Sequence, residues 1–416
     1  MTKSDHTAKK QTDIVIIGGG HAGLITAALI GQLDLTCILI DRDDPQKTLD
    51  AAFDGRTTAI SYGSQKVLQE TGAWEALEPH ACPIEKIDIL DGNSRKNILE
   101  FDNKEVGGDI FGWILENRQI RLALYKRLED CDNVTIIAPS TVTACDTTND
   151  HAAVTLDDGT QITAKLLIGA DGRGSFVRRN AGIESRQWSY NQHAIVCTVV
   201  HEHPHDNIAV EHFRNEGPFA ILPMTDDEDG HHRSSIVWTE DSKKRQTNSF
   251  DYDDDTFNYA LQSRFPDRYG TVKQIGKRFS FPLSLNHAYH YTSQRTALVA
   301  DAAHGIHPIA GQGLNLGIRD IAALYGLLAQ ACDTQTDIGS DAQLQRYEQA
   351  RRLDNTAMAG TTDILNKLFS NDSKVLGFAR KAGMHIIAKT PPAKRFFMKQ
   401  AMGSAGILPA LIKDTQ

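Results

Sequence analysis

Apolar runs and amphipathic segments alternate in the first part of the chain. Residues 13–17 form a β-branched run typical of a buried strand, residues 22–32 have helical composition, and residues 36–41 are again apolar. A segment with apolar positions at helical spacing over 116–131 is followed by another strand-like run at 134–137. The order strand–helix–strand predicts an α/β domain built on a parallel sheet.

In the middle of the chain the pattern changes to an alternation with a period of two. Polar turns separate the segments, and acidic loops interrupt them at 226–229 and 253–255. Short alternating runs of this kind are typical of an antiparallel sheet. The predicted strands are 194–200, 208–213, 219–224, 235–240 and 276–283.

Parallel-sheet character is predicted on both sides of this region. Residues 166–170 form a buried strand preceded by a hairpin turn at 157–159, and residues 297–301 form the last predicted strand. A helix over 312–331 follows, and the chain is mainly helical from residue 341. The N-terminal unit and the region around residue 301 must therefore meet in space, with the antiparallel sheet inserted between them in sequence.

Composition and charge exclude several classes of protein. The chain has 416 residues, of which 40% are hydrophobic and 23% charged, as in an ordinary globular protein of about two domains. A net charge of −9 argues against nucleic acid as the main partner, because phosphate binding needs a basic surface. Residues 373–416 nevertheless carry eight basic residues and one acid, which predicts either a solvated helical face or a docking surface for anionic lipid or an acidic partner.

Cysteine, histidine and N-terminal patterns narrow the setting. The six cysteines are scattered without a CxxC pair, which predicts reduced thiols and neither a zinc site nor a disulfide framework. The histidines at 201–205 and 231–232 lie in a charged, loop-like setting, where we expect no metal site. The sequence shows neither a signal or transit peptide nor a run of about eighteen apolar residues, which favours a cytoplasmic protein.

A glycine-rich loop follows the first predicted strand. In Gly18-x-Gly20-x-x-Gly23 the first glycine makes the tight turn, the second lets the backbone approach a pyrophosphate, and the third packs helix on strand. Asp41 closes the second strand, where a carboxylate accepts hydrogen bonds from adenosine ribose hydroxyls. The context favours a dinucleotide site, and the alternative is a tight glycine turn without a ligand.

Two further predicted strand ends carry an aspartate. Asp171 ends a buried strand and is a candidate cofactor-binding residue; the alternative is a simple turn before a basic helix. Asp301 precedes the glycine-rich start of the 312–331 helix, and a carboxylate there can bind the ribityl hydroxyls of a flavin. A helix N-terminus aimed at the flavin ring would stabilise the negative charge of the reduced cofactor. One large cofactor held from both ends of the chain favours FAD over NAD.

Several blocks of sequence carry a family resemblance. They are the loop at Gly18, the strand end Gly169-Ala-Asp-Gly172, the stretch from Asp301-Ala-Ala-His304 through His307-Pro-Ile-Ala-Gly-Gln-Gly to Asp320, and the runs Gly55-Arg-Thr-Thr-Ala59, Trp113-Ile-Leu-Glu-Asn117 and Gly217-Pro-Phe-Ala-Ile-Leu-Pro223. In these blocks the chain resembles the class A flavin-dependent aromatic hydroxylases, and specifically the ubiquinone-biosynthesis (2-polyprenylphenol) hydroxylase family. The resemblance covers nearly the whole chain.

The resemblance implies an α/β fold with three regions. A Rossmann-like FAD-binding domain, similar to that of glutathione reductase, would comprise residues 1–85, 115–187 and 286–340. Residues 86–114 and 188–285 would form an inserted antiparallel substrate-binding domain, and residues 341–416 a C-terminal helical region.

The resemblance also implies roles for particular residues. Arg56 would contact the FAD pyrophosphate or ribose, Asn117 would make another cofactor contact, and Asp301 would hold the ribityl chain. The residues expected to line the isoalloxazine are Pro308, Gly311, Gly313, Leu314 and Asn315. Two positions depart from the pattern: Ala300 stands where the family usually has Gly, and Asp41 stands where the wider family often has Glu.

The reaction implied by the resemblance is monooxygenation of an electron-rich phenolic ring through a flavin C4a-hydroperoxide. O₂ is the oxidant, and NAD(P)H is the transient reductant of FAD. The substrate implied is a lipophilic polyprenylphenol of ubiquinone biosynthesis. A further hypothesis is peripheral contact of the basic C-terminal region with the inner face of a bacterial membrane or with a biosynthetic complex.

Two alternatives remain open from the sequence. A hydroxylase of a small soluble aromatic acid would need a basic anchor for the carboxylate, for which Arg214 and Arg233 are candidates. A flavin-binding subunit without its own turnover is the other alternative. No catalytic side chain is identified: His193, Tyr190 and His212 lie on the predicted sheet, but each is better explained as a structural residue.

Overall fold

The computed structural model describes residues 9–50, 55–92, 97–214, 216–241, 248–305, 311–369, 383–406 and 408–413. Its strands in chain order are β1 (Lys9–Ile17), β2 (Cys37–Ile40), β3 (Thr57–Ser61), β4 (Cys82–Ile84), β5 (Lys86–Asp91), β6 (Leu99–Asp102), β7 (Gly112–Glu116), β8 (Val134–Ile137), β9 (Val142–Thr147), β10 (Ala152–Leu156), β11 (Gln161–Gly169), β12 (Ser185–His201), β13 (Ile208–Arg214), β14 (Gly217–Met224), β15 (His232–Asp241), β16 (Val272–Ala288), β17 (Thr292–Ser293), β18 (Thr296–Leu298) and β19 (His304–Gly305). Its helices are α1 (His21–Ile30), α2 (Pro45–Asp50), α3 (Tyr62–Glu70), α4 (Trp74–Leu77), α5 (Asn117–Glu129), α6 (Phe176–Asn180), α7 (Asp254–Gln262), α8 (Gln312–Thr334), α9 (Asp341–Phe369), α10 (383–389) and α11 (Pro391–Ala401).

The first sheet is mainly parallel and has the order β17-β18-β11-β1-β2-β8, with the β9–β10 hairpin paired to β11. Strands β18, β11, β1, β2 and β8 run parallel, and β2 and the C-terminal half of β1 are buried because helices cover the sheet. Helix α1 is apolar almost all round and packs against α5 and α8. The late strand β18 lies beside β11, so the predicted meeting of the two ends of the chain is confirmed.

The second sheet has eight strands in the order β19-β16-β12-β15-β14-β13-β5-β6. Its neighbours are antiparallel except for the parallel pair β13–β5. All five predicted strands are present, but β12 and β16 are each 17 residues long. The first half of β12 was not predicted, because its side chains are mostly polar and only partly covered.

The two faces of the second sheet pack against different partners. One face closes on α7 through an apolar cluster that includes Trp238 and Phe257. The opposite face, which we call the inner face, carries Ala209 and Leu222 and packs against Met398 of α11 and against the small sheet β3-β7-β4. The inner face is therefore covered by α11 and the small β3-β7-β4 sheet.

The predicted strand at 297–301 is wrong at its C-terminal end. Strand β18 stops at Leu298, and residues Ala300–Ala302 form a 3₁₀ turn. Ala300 has a positive φ of 53°, which is incompatible with a strand. Asp301 thus lies in a tight turn just beyond the strand.

Candidate cofactor site

The first glycine loop lies between β1 and α1. Gly18 has a φ of 107° and donates its N–H to the Ile40 carbonyl at 2.8 Å. A Cβ atom on Gly23 would lie 1.8 Å from the Gly18 carbonyl oxygen. A Cβ atom on Gly20, at the N-terminus of α1, would meet no atom of the described chain within 4 Å. The fold therefore requires Gly18 and Gly23, whereas Gly20 leaves open space in front of the helix.

Asp41 follows β2 directly and reaches the same loop. One of its carboxylate oxygens accepts a hydrogen bond from the Gly19 N–H, and the other accepts one from the Asp43 N–H at 2.7 Å. The side chain is thereby held beside the start of α1.

Asn117 begins α5 on the other side of this loop. Its N–H donates to the Arg56 carbonyl at 3.0 Å, and its side-chain oxygen accepts a hydrogen bond from the Thr58 hydroxyl at 2.6 Å. The His21 ring lies 3.2 Å from the Asn117 carbonyl oxygen. Arg56 and Asn117 are thus brought together next to the first glycine loop. The sequence analysis assigned no role to Thr58 and His21, although both lie within the quoted motifs.

Asp171 caps a short helix beside the same loop. Its Oδ2 accepts hydrogen bonds from the N–H groups of Phe176 and Val177 at 2.6 and 3.1 Å. Its Oδ1 is buried and has no hydrogen-bond partner in the described part of the chain. The capping role explains one oxygen, and the other is enclosed by the protein.

Asp301 lies apart from these residues, on the 3₁₀ turn after β18. Its carboxylate is half-exposed and 3.2 Å from the guanidinium of Arg173. Arg173 also reaches the carbonyl and hydroxyl of Ser284 on β16 at 3.4 Å. This ion pair connects the turn to the second sheet, and sequence reasoning did not assign a role to Arg173.

The second glycine element begins α8. Gly311 is the N-cap with a φ of 63°, and the Asn315 side chain donates to the carbonyls of Ala59 and Gly311 at 2.8 and 3.0 Å. The same side chain accepts the Ser61 N–H at 2.9 Å, so Asn315 fastens α8 to β3. Leu314 packs against the main core. Pro308 lies outside the described residues.

Gly313 resembles Gly20 in its surroundings. A Cβ atom there would meet nothing within 4 Å among the described residues, although glycine in a helix is unfavourable by about 0.5–1 kcal/mol relative to alanine. Both open glycines lie at helix N-termini, which carry partial positive charge and free N–H groups. The N-terminus of α1 suits the phosphate groups of a flavin dinucleotide, and the N-terminus of α8 suits its electron-accepting ring.

A buried polar network lies behind this second element. Oδ1 of Asp320 on α8 accepts hydrogen bonds from Arg351 Nε at 2.9 Å and from the Asn355 amide at 2.8 Å. Oδ2 accepts the Ala300 N–H at 3.2 Å and contacts His304 Nε2. Burial acts to raise the pKa of Asp320, but the interactions with His304 and Arg351 outweigh it and lower that pKa to about 2. The network ties the turn that carries Asp301 to α8 and α9.

The histidines for which we expected no metal site lie at the ends of the interior strands β12 and β15 and in the adjoining loops. His201 contacts the His203 carbonyl at 2.7 Å and the Ser234 hydroxyl at 2.9 Å, and His205 contacts the Met224 carbonyl at 2.9 Å. Burial is the main cause that lowers the pKa of both rings. The ring nitrogens of His201 and His205 therefore contact groups in the strands and loops around them.

Sequence comparison places the chain among known proteins. A family model described as FAD binding domain matches residues 11–361. The chain is 41% identical to ubiquinone hydroxylase UbiL of Rhodospirillum rubrum, over 97% of this chain and 92% of that protein. It is 33% identical to 3-demethoxyubiquinol 3-hydroxylase of Escherichia coli, over 94% and 98% of the two chains. It is 32% identical to the mitochondrial ubiquinone biosynthesis monooxygenase COQ6 of Homo sapiens, over 93% and 91%.

Solved structures share the fold. The p-nitrophenol 4-monooxygenase PnpA from Pseudomonas putida DLL-E4 matches with a TM-score of 0.77 at 17% identity, covering 96% of this chain and 100% of the other. PqsL from Pseudomonas aeruginosa matches with a TM-score of 0.74 at 18% identity, covering 90% and 99%. The predicted fold class is confirmed. Together with the sequence relatives, these findings show that the chain belongs to the FAD-dependent ubiquinone-biosynthesis hydroxylase family of flavin monooxygenases.

Proposed function

We propose that this protein hydroxylates the aromatic ring of a polyprenylphenol intermediate of ubiquinone biosynthesis, using FAD, O₂ and NAD(P)H. The observation that carries the proposal is the 41% identity to a ubiquinone hydroxylase along almost the full length of both chains. FAD, when bound, supplies the redox chemistry. The protein binds the cofactor, orients the ring and excludes water.

The proposed cofactor contacts follow from the geometry at the two helix ends. The open space at Gly20 suits the pyrophosphate and Asp41 the adenosine ribose, with Arg56 and Asn117 beside them. The open space at Gly313 suits the flavin ring, flanked by Gly311, Leu314 and Asn315. Asp171 and Asp301 are the proposed partners of cofactor hydroxyl groups, and the half-exposed carboxylate of Asp301 suits that role. The division into FAD-binding, substrate and C-terminal regions is part of the same proposal.

A small aromatic acid is less well supported as substrate. Arg233 lies 3.2 Å from the Glu116 carboxylate and donates to the Thr225 carbonyl at 2.9 Å. Arg214 lies 3.5 Å from the Glu216 carboxylate. Both candidate anchors are thus engaged by protein acceptors, and the cluster on the inner face consists of aliphatic, methionine and phenylalanine side chains. This lining suits a lipophilic substrate better than an acidic one.

The C-terminal helices present a mixed apolar and basic surface, which we call the tail surface. Ile386 and Phe396 are 63% and 57% exposed, and Phe397, which follows Phe396 in the chain, is 37% exposed. Exposed basic residues accompany them at Lys389, Arg395 and Lys399. Among the described residues, no helix combines the length and apolar character needed to cross a membrane. We propose that the tail surface rests on anionic lipid, where a prenylated substrate is dissolved.

Genetic complementation tests the proposed reaction. Bacterial strains blocked at each ring hydroxylation of ubiquinone synthesis would receive the wild-type gene or Asp301→Ala, and quinone intermediates would be identified by mass spectrometry. We expect the wild type to rescue at least one strain, and the variant to rescue none because it retains little FAD. Failure of the wild type in every strain would contradict the proposal. A flavin-replete D301A protein would contradict only the role of Asp301.

Liposome flotation tests the tail surface. The double variant Phe396→Ser/Phe397→Ser should lose flotation with vesicles containing phosphatidylglycerol, whereas Tyr259→Ser, an 81% exposed aromatic residue on α7, should not. Equal flotation of all three proteins, or none by the wild type, would contradict membrane contact.

A further inference from the structure

Glu211 lies on the inner face of the second sheet. Strand β13 places Val210 and His212 on the α7 side, where Val210 joins the cluster around Trp238. Because side chains alternate along a strand, Glu211 points the other way, with Ala209 and Phe213. Ala209 packs in the cluster that contains Met398 of α11, and Phe213 packs against Met384 of α10. Glu211 is therefore a carboxylate between two apolar clusters beneath the C-terminal helices.

The cross-strand neighbours of Glu211 are also apolar. It pairs with Ala220 of β14 and with Ile89 of β5, and Val237 follows on β15. Directly opposed residues share one face, so this row lies on the inner face. Within the described part of the chain, no hydrogen bond or ion pair to the Glu211 carboxylate is present, and part of the side chain remains accessible. A partly covered carboxylate among apolar side chains and without a partner loses hydration on folding, which calls for another reason for its presence.

The same row leads to the cofactor side of the molecule. From Val237 it continues through Val196 to Phe279, and a Cβ atom on Gly55 would lie 3.3 Å from the Phe279 ring. In the neighbouring row, the Ser235 hydroxyl accepts a hydrogen bond from Thr57 at 2.8 Å. Gly55 and Thr57 flank Arg56, which we assign to FAD. Strands lie about 4.8 Å apart, so along the sheet Glu211 is roughly 10 Å from β15, which carries Ser235, and roughly 19 Å from β16, which carries Phe279.

We infer that Glu211 is the catalytic acid–base residue that binds the phenolic hydroxyl of the substrate on the inner face. This inference rests on the proposed function and assigns the polar contact within an otherwise apolar substrate site. The histidines that the sequence suggested do not fit this position. His212 pairs with Phe219 on the α7 side and contacts the Gly92 carbonyl at 2.7 Å, and His193 pairs with Glu240 on that same side.

The chemistry of the site suits proton transfer near neutral pH. Burial raises the pKa of Glu211 to about 7, close to the value that serves a general base best. As a ring carbon forms its bond to the transferred oxygen, the phenolic O–H bond breaks and the proton passes to the carboxylate. The O–H electron pair moves toward the ring, which makes that carbon more nucleophilic. The ring carbon then loses its hydrogen as a proton, and the ring oxygen takes a proton back from Glu211. The second atom of O₂ leaves as water, and the two electrons come from NAD(P)H.

Steady-state kinetics of the FAD-loaded protein tests the inference, with 2-prenylphenol as substrate and product measured by mass spectrometry. Glu211→Gln should lower kcat by about 10²-fold at pH 7 with a smaller change in KM, because general acid–base catalysis contributes on that scale. The pH profile of kcat/KM should lose its inflection near 7, and the rate of the variant should recover as the pH approaches the pKa of the phenol itself. Glu100→Gln, the same change at an exposed position on β6, should behave as wild type.

The outcomes separate the inference from the proposed function. No product from the wild type would contradict the proposed function. Wild-type turnover together with an E211Q variant of unchanged kcat and unchanged pH profile would overturn the role of Glu211 alone. Flavin absorbance shows whether E211Q retains FAD. If E211Q loses it, Glu211→Asp decides: it keeps the carboxylate, so a retained inflection at reduced kcat supports the inference and a lost inflection overturns it.

Discussion

The carboxylates of Asp320, which is fully buried, and Glu211, which is partly buried, have opposite surroundings. Asp320 accepts hydrogen bonds from the Ala300 backbone, Arg351 and Asn355 and contacts His304, whereas Glu211 faces aliphatic side chains and has no such partner among the described residues. Burial acts to raise the pKa of both groups. The partners of Asp320 reverse that effect and lower its pKa to about 2, while the pKa of Glu211 rises to about 7.

The comparison shows how partners decide what a buried acid does. Asp320 is charged at any physiological pH, and each of its oxygens is engaged, so it serves to hold elements together. Glu211 changes protonation near neutral pH and has capacity to bind a hydroxyl. Shifted pKa values occur at structural and reactive sites alike, and the hydrogen-bond inventory distinguishes the two cases here.

Removing the charge of Asp320 should have the largest effect on stability. Asp320→Asn removes one of the two carboxylates that the buried guanidinium of Arg351 contacts, the other being that of Asp354, and breaking a buried pair costs about 3–5 kcal/mol. Urea denaturation at a fixed FAD concentration measures this loss. Asp333→Asn, an exposed aspartate on the same helix, should change the free energy of unfolding by no more than about 0.5 kcal/mol. A D320N protein as stable as the D333N control would show that the network is not structural.

Local patterns predicted the parts of the site that are contiguous in sequence. The loop at Gly18 and its strand and helix follow from neighbouring residues, so the turn and the role of its glycines were accessible. The network of Asp320 joins α8 to the 3₁₀ turn and to Arg351 of α9, and no periodicity connects these segments. The misplaced end of β18 has the same origin, because an apolar run does not reveal the positive φ of Ala300.

Glu211 illustrates another limit of sequence reasoning. Alternation along β13 shows that Glu211 shares a face with Ala209 and Phe213, but it does not show what covers that face. The covering residues include Met384 and Met398, which are remote in sequence. A polar residue in an alternating strand is ordinarily interpreted as solvent-facing. Tertiary packing reverses that interpretation here.

Glu211→Gln should have the next largest effect on stability, with a sign that depends on pH. The folded-state pKa of about 7 lies above the ordinary value of 4.5, so the folded protein binds the proton more tightly than the unfolded chain. This contribution to stability is fully present below pH 4.5 and is lost as the pH rises through 7. E211Q removes this pH dependence. The free energy of unfolding of E211Q minus that of wild type should therefore be about 2–3 kcal/mol larger at pH 8 than at pH 4. Urea denaturation of both proteins at pH 4 and pH 8 measures this difference in the free energy of unfolding. A difference that does not vary with pH would mean that Glu211 is solvated or paired.

Ala300→Gly should have the smallest effect and tests what the Asp320 network holds in place. A left-handed φ costs a residue with a Cβ atom about 1–2 kcal/mol, and glycine relieves this cost. The methyl group of Ala300 packs against Gly317 of α8, where a Cβ atom would lie only 2.5 Å from it, and losing that burial costs about 0.8 kcal/mol. The net expectation is a stabilisation of up to about 1 kcal/mol, measured by urea denaturation.

The double variant D320N/A300G tests whether Asp320 holds the strained turn. If it does, D320N in the wild-type background lets Ala300 relax, and this relief offsets part of the lost stability. In the A300G background there is no strain to relieve, so D320N should cost up to about 1 kcal/mol more there. Strict additivity of the two changes would mean that the turn keeps its conformation without Asp320, and that the carboxylate stabilises α8 and α9 alone.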